Sequence, residues 1–99
     1  MEIKKTAVAG TLESSDVQIT IEPGAGTTSL SIESIVLNQY GKQIKAVVLK
    51  TLEDMGVSSA KVTVLDKGAL DCTIRARTEC AVYRAAEFEE QVAWGGLCR

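Results

Sequence analysis

Four consecutive residues hold the chain's densest set of reactive oxygen atoms: Glu13, Ser14, Ser15 and Asp16, within the run AGTLESSD at positions 9–16. A serine hydroxyl is a competent nucleophile at neutral pH only beside a base, and the 99 residues contain no histidine, which excludes Ser-His and Cys-His pairs. Two readings fit the acidic serine run. Small polar residues favour turns because their side chains bond nearby backbone amides. Alternatively, a serine on an exposed loop is presented to an enzyme that modifies it, which a surface segment on a rigid scaffold permits.

Other chemistry is thinner. Arg75, Arg77 and Arg84 can grip phosphate, and on a helix Arg77 and Arg84, seven apart, share a face; a solvated helix flank interleaved with Glu79 and Glu87 accounts for the same residues. The glycines in GAGTT (24–28) and YGKQ (40–43) do not satisfy GxxxxGK[ST], because Gln43 follows Lys42 and GAGTT leads toward a strand. Cys72, Cys80 and Cys98 form no CxxC pair, so with no histidine the usual zinc patterns are absent and no metal is expected. On one helix Cys72 and Cys80 are about 12 Å apart along the axis, beyond the ~7 Å reach of a disulfide, and free thiols are expected.

The elements that must position these residues follow from periodicity. Val17, Ile19 and Ile21 alternate with polar residues until Pro23, and Leu30 and Ile32 alternate after the loop PGAGTT, which suggests an antiparallel pair. KKTAVAG supplies a weaker strand upstream, so that GTLESSD is a connection between strands. Leu37, Tyr40, Ile44, Val47, Val48, Thr51, Leu52 and Met55 recur at three and four, predicting a helix with Ser34 as amino-terminal cap and Gly56 as left-handed terminator. Gly41 costs that helix about 1 kcal/mol relative to alanine.

KVTVLD (61–66) alternates again, and Lys67–Gly68 turns the chain. From there Leu70, Cys72, Ile74 and Ala76 alternate as in a strand, yet Cys72, Ala76, Cys80 and Tyr83 line a helical face; length favours a helix over about 69–87. The expected fold is α+β, with a small antiparallel or mixed sheet, two helices on one face, and the order β-β-β-α-β-α. Residues 1–99 suit a single domain, with 88–99, including Phe88 and Trp94, as a loosely packed or docking tail.

The net charge of −2, with both signs dispersed, offers no field for a nucleic-acid backbone. No apolar run approaches the roughly 20 residues of a membrane span, and MEIKKTAVAG lacks the apolar core of a secretory signal, so a cytoplasmic location is expected.

AVAGTLESSDVQITIEP (7–23), then a central amphipathic helix, then DKGALDCTIRAR (66–77) with Glu79 and Arg84 downstream, closely resembles the acyl carrier protein of citrate lyase, its gamma subunit. The resemblance covers nearly the whole chain and fades in the tail. It implies that the serine after Thr-Leu-Glu, Ser14, carries 2′-(5″-phosphoribosyl)-3′-dephospho-CoA through a phosphodiester. Where some relatives have glycine next, this chain has Ser15, a second candidate hydroxyl. The implied function is to carry acetyl and citryl thioesters while citrate is cleaved to acetate and oxaloacetate. The implied partners are the alpha and beta catalytic subunits, a prosthetic-group transferase and an acetylating ligase. The subunit itself is then no enzyme, and the missing histidine fits. Glu13 and Asp16 are expected to hold the arm's phosphates off by repulsion, and Arg77 and Arg84 are candidate phosphate contacts. A malonate decarboxylase carrier and an unmodified scaffold subunit are the alternatives.

Overall fold

Alternation builds the sheet because every second side chain of a strand turns to the same face. In the computed structural model, which describes residues 2–35 and 37–86, the strands are β1 (Ala7–Gly10), β2 (Val17–Pro23), β3 (Thr28–Ser34) and β4 (Ala60–Asp66), with helices α1 (Leu37–Asp54) and α2 (Asp71–Ala85). The sheet order is β1-β2-β4-β3; β1 and β4 run antiparallel to β2, and β3 runs parallel to β4. Register aligns Ala7, Ile21, Val62 and Leu30 in one row across the sheet and Ala9, Ile19, Val64 and Ile32 in the next. Ile19, Ile21, Val62 and Val64 are wholly buried beneath the helices, α2 over β1 and β2, α1 over β3. The mixed α+β sheet and its element order agree with expectation.

The strand pairing does not. PGAGTT is no hairpin: β4 lies between β2 and β3, and the loop instead passes over the start of β4, where the Ala60 N–H donates to the Thr27 carbonyl at 3.2 Å. A β-carbon on Gly24 would stand 2.5 Å from the Ala60 nitrogen, so only glycine allows that crossing. The inward side chains of β4, Ala60, Val62, Val64 and Asp66, are all buried, which suits a strand paired on both edges. A parallel β3–β4 pair needs a crossover, and α1 provides it.

The α1 face expected from spacing is largely realised: Ile44, Val48, Thr51 and Leu52 are buried, Val47 and Met55 pack against them, and Gly56 ends the helix at φ +71°. The side chains of Leu37 and Tyr40 lie outside the described residues, as do Phe88, Trp94 and the rest of the tail. Ser34 ends β3, and its hydroxyl donates to the Asp66 carboxylate across the sheet at 2.7 Å.

Residues 71–85 are helical, but the buried face is Ile74, Thr78, Ala81, Val82 and Ala85 with Cys80, while Cys72 and Ala76 are exposed. Thr78 escapes a hydropathy pattern, yet its burial leaves no polar atom unsatisfied because its hydroxyl donates to the Ile74 carbonyl at 2.8 Å. Small alanines let α2 lie close to the sheet. Cys72 is free and exposed, whereas Cys80, against expectation, is disulfide-bonded; the spacing argument excluded only a Cys72–Cys80 bridge. Among the described residues no helix is long and apolar enough to cross a membrane.

Asp66 is the one carboxylate in the inward rows, at 2% exposure, in the same cross-sheet row as Val17 and Ser34. It accepts the Ser34 hydroxyl and, at 2.9 Å, the Ala69 N–H, which folds Asp66–Ala69 into a turn. Asp66→Ala strands both donors, and an expected loss of about 2–4 kcal/mol should appear as a lower urea midpoint with unchanged slope.

Candidate functional site

The acidic serine run is a connection between β1 and β2, and its shape begins with Gly10. The strand leaves the sheet there at φ +92°, and a β-carbon would stand 1.8 Å from the Val17 carbonyl oxygen and 3.2 Å from Cδ of Arg77. Bare backbone at this point lets the arginine stem cross the strand end. Beyond it, the Thr11 hydroxyl donates to Oδ2 of Asp16, and the Asp16 N–H donates to the Glu13 carbonyl at 3.1 Å. Ser14 and Ser15 are therefore the two corner residues of a four-residue turn.

Ser15 has φ +65°, the only non-glycine residue with positive φ among those described. A turn of this kind favours glycine at its third position, so Ser15 sits where the backbone would suit a residue without a β-carbon. The turn is tied down on its far side as well. The Ser15 N–H donates to the Lys67 carbonyl at 2.8 Å, and the Lys67 N–H donates to the Asp16 carbonyl at 2.9 Å.

The strongest bond joins the two motifs. Arg77 reaches Asp16 with both faces of its fork, Nε to Oδ1 at 3.2 Å and Nη2 to Oδ2 at 2.9 Å. With the Val17 N–H donating to Oδ1 at 2.7 Å and Thr11 to Oδ2, each carboxylate oxygen accepts two donors. Burial penalises the charge of Asp16, but the bonds from Thr11, Arg77 and Val17 and the charge of Arg77 outweigh it, holding the carboxyl below its ordinary value.

Expected site residues thus separate into groups. Ser14 and Ser15 are exposed, and neither hydroxyl has a hydrogen-bond partner among the described residues. An exposed, unbonded oxygen on a braced turn accepts a bulky substituent without displacing anything, so the residues present fit a phosphodiester-linked group. Glu13 is exposed beside them. Asp16 does not act as the free repulsive charge expected of it, because Arg77 neutralises it. Arg77 and Arg84 both face β1 and both are engaged: Nη1 of Arg84 donates to the Val8 carbonyl on that edge strand at 2.6 Å. Arg75 points elsewhere, to Asp54 of α1 at 3.1 Å and to Glu79 at 3.3 Å.

Sequence reasoning missed Gly10, Thr11 and Lys67. The first two lie inside the motif that was read, and only the short Thr11-to-Asp16 spacing hinted at a closed loop. Lys67 contributes backbone atoms, which leave no mark in residue type.

Two outcomes follow from the turn. Because the folded Asp16 carboxyl titrates below its unfolded value, the pair stabilises the protein fully above about pH 4 and is lost as pH falls through the folded value. Asp16→Asn should therefore cost about 2 kcal/mol in urea unfolding at pH 7, and the gap from wild type should narrow as the pH falls below the ordinary carboxylate range. Ser15→Gly should raise stability by about 0.5–1 kcal/mol, seen as a higher thermal midpoint, by relieving the left-handed corner.

Comparisons with known proteins bear on this geometry. The family model described as "Malonate decarboxylase delta subunit (MdcD)", an acyl carrier protein family, matches residues 4–85, ending with α2. The citrate lyase acyl carrier protein of Lacticaseibacillus casei (strain BL23) is 50% identical over 95% of this chain and 98% of its own length. That of Streptococcus mutans serotype c is 54% identical over 90% of this chain and 88% of its own. A chain in the crystal structure of a Pseudomonas malonate decarboxylase hetero-tetramer in complex with malonate superposes with a TM-score of 0.73 at 20% identity, covering 86% of this chain and 88% of that one, which shows a shared fold. The chain belongs to the acyl carrier protein family that includes the citrate lyase acyl carrier proteins and the malonate decarboxylase delta subunit.

Proposed function

We propose that this protein is the acyl carrier subunit of a citrate lyase, with Ser14 as the attachment point of 2′-(5″-phosphoribosyl)-3′-dephospho-CoA. The observation that carries the reading is the contrast at one turn: the Ser14 hydroxyl is exposed and unbonded, while the backbone and acid around it are held by Thr11, Lys67 and Arg77. When attached, the group supplies a terminal thiol on which acetyl and citryl thioesters are carried between the active sites of the alpha and beta subunits.

Each residue then has a mechanical task. Ser14 Oγ presents itself to a transferase without a partner to be stripped away. Arg77 and Thr11 keep Asp16 from folding back onto that oxygen, and the two Lys67 backbone bonds hold the turn against the sheet. A fixed root makes the tether's reach a property of the arm alone, and tethering keeps the cargo at an effective concentration on the order of millimolar. Glu13 remains the free negative charge beside the root, with a modest effect on the arm because exposed charges are screened.

The relatives near 50% identity carry the citrate lyase name, which favours that complex over malonate decarboxylase. Intact mass of the protein from cells that also make the modifying enzymes tests the attachment. The expected result is an adduct heavier than phosphopantetheine, absent in Ser14→Ala and retained in Ser15→Ala, with citrate cleavage by the reconstituted complex lost only in Ser14→Ala. An unmodified mass in competent cells, or full cleavage by a Ser14→Ala complex, overturns the reading and leaves a scaffold subunit.

A further inference from the structure

Beside the carrier turn, at the end of the sheet where β3 and β4 finish, lies a groove of about 270 Å³ lined by Leu12, Glu33, Ser34, Ile35, Leu65, Asp66 and Lys67. Leu12 and Ile35 are apolar yet 51% and 68% exposed, an arrangement water disfavours. Leu65 belongs to the outward side of the sheet, opposite Glu33 and Gln18 in register. The groove combines apolar Leu12, Ile35 and Leu65 with two acids, exposed-face Glu33 and the buried Asp66 that is already bonded to Ser34 and Ala69, and with one cation. That cation, the Lys67 ammonium, has no ion-pair partner among the described residues, whereas Arg77 is committed to Asp16.

We propose that in the free carrier this groove is the resting site of the arm attached at Ser14, with its phosphates against Lys67 and its amide-bearing chain along Leu12, Ile35 and Leu65. The proposal rests on the attachment reading given above. Three observations select the arm as occupant. Leu12 is two residues from Ser14, within about 7 Å along the chain, and Lys67 is bonded through its carbonyl to Ser15, so the root of the arm adjoins the groove. The volume lies near the low end of small-ligand pockets, roughly 300–1,000 Å³, while a stable protein interface needs about 800 Å² from each partner. The unpaired cation beside apolar surface complements a chain that carries both phosphate and uncharged amide segments. Tethering removes most of the association cost, so even weak contacts populate the docked state. A docked arm shelters its cargo from water until a catalytic subunit competes for it.

Backbone amide spectra of full-length protein, with and without the arm, test this, with intact mass recorded on the same samples. The expected result is an adduct at Ser14 together with shifted amide resonances at Glu33, Ile35 and Leu65, far from Ser14 in sequence and not hydrogen-bonded to its turn. Ile35→Ser, a change at an exposed position, should keep the adduct and abolish the distant shifts, and Lys67→Ala should reduce them. An adduct with shifts confined to residues 13–16 and to Lys67, whose amide is bonded to that turn, overturns the resting site and leaves the attachment intact. Shifts at the groove that appear only when catalytic subunits are added assign it to a protein partner and equally overturn the proposal. No adduct at Ser14 overturns both.

Discussion

The site depends on one saturated carboxylate. Asp16 gathers four donors from three parts of the chain: Thr11 at the start of its own loop, the amide of Val17, and the two-pronged guanidinium of Arg77 sixty-one residues later. A partly buried carboxylate held this way stays ionised, and the geometry of the fork tolerates little rotation of the partner. The serine turn is consequently pinned to α2 as well as to the sheet. Gly10 is the companion constraint, since any side chain there would strike the Val17 carbonyl and crowd the arginine stem.

Sheet topology makes this meeting unavoidable. β2 and β4 are antiparallel neighbours with Val17 opposite Asp66, so the loop entering β2 and the turn leaving β4 lie side by side. The Lys67 backbone joins them, and Asp66, buried and bonded to Ser34 and Ala69, fixes the second turn from within the core. The helix that follows that turn then carries Arg77 back over the strand end. Two runs that are separate in sequence are thus one structural unit, with a free hydroxyl at its apex. Stiffness is the protein's contribution to a carrier, and the two arginines on α2 provide part of it by holding β1 and its loop.

What was legible in the chain was local. The period of two in Val17–Ile21 and in Val62–Val64 follows from the pleat, the spacing from Ile44 to Leu52 follows from the helical turn, and Gly56 ends α1 because only glycine enters the left-handed region freely. The α2 face was misjudged because its buried residues are alanines and a threonine whose hydroxyl bonds its own helix, and hydropathy periodicity is blind to both. The bond from Ser34 to Asp66 has no local signal, because a serine near a helix start suits a cap equally well as a partner for a distant buried acid.

By itself the sequence determined which segments alternate or spiral, that no histidine-based nucleophile exists, and that hydroxyls sit exposed among acids, since those properties reside in residue type and spacing. Only the tertiary structure decided that β4 separates β2 from β3, that Asp16 is neutralised while Glu13 is free, and that Lys67 stands beside the turn with its charge unpaired. The reason is that strand neighbours and ion-pair partners are chosen by burial of the whole sheet. A choice made between residues sixty positions apart leaves no periodic trace in either one's surroundings.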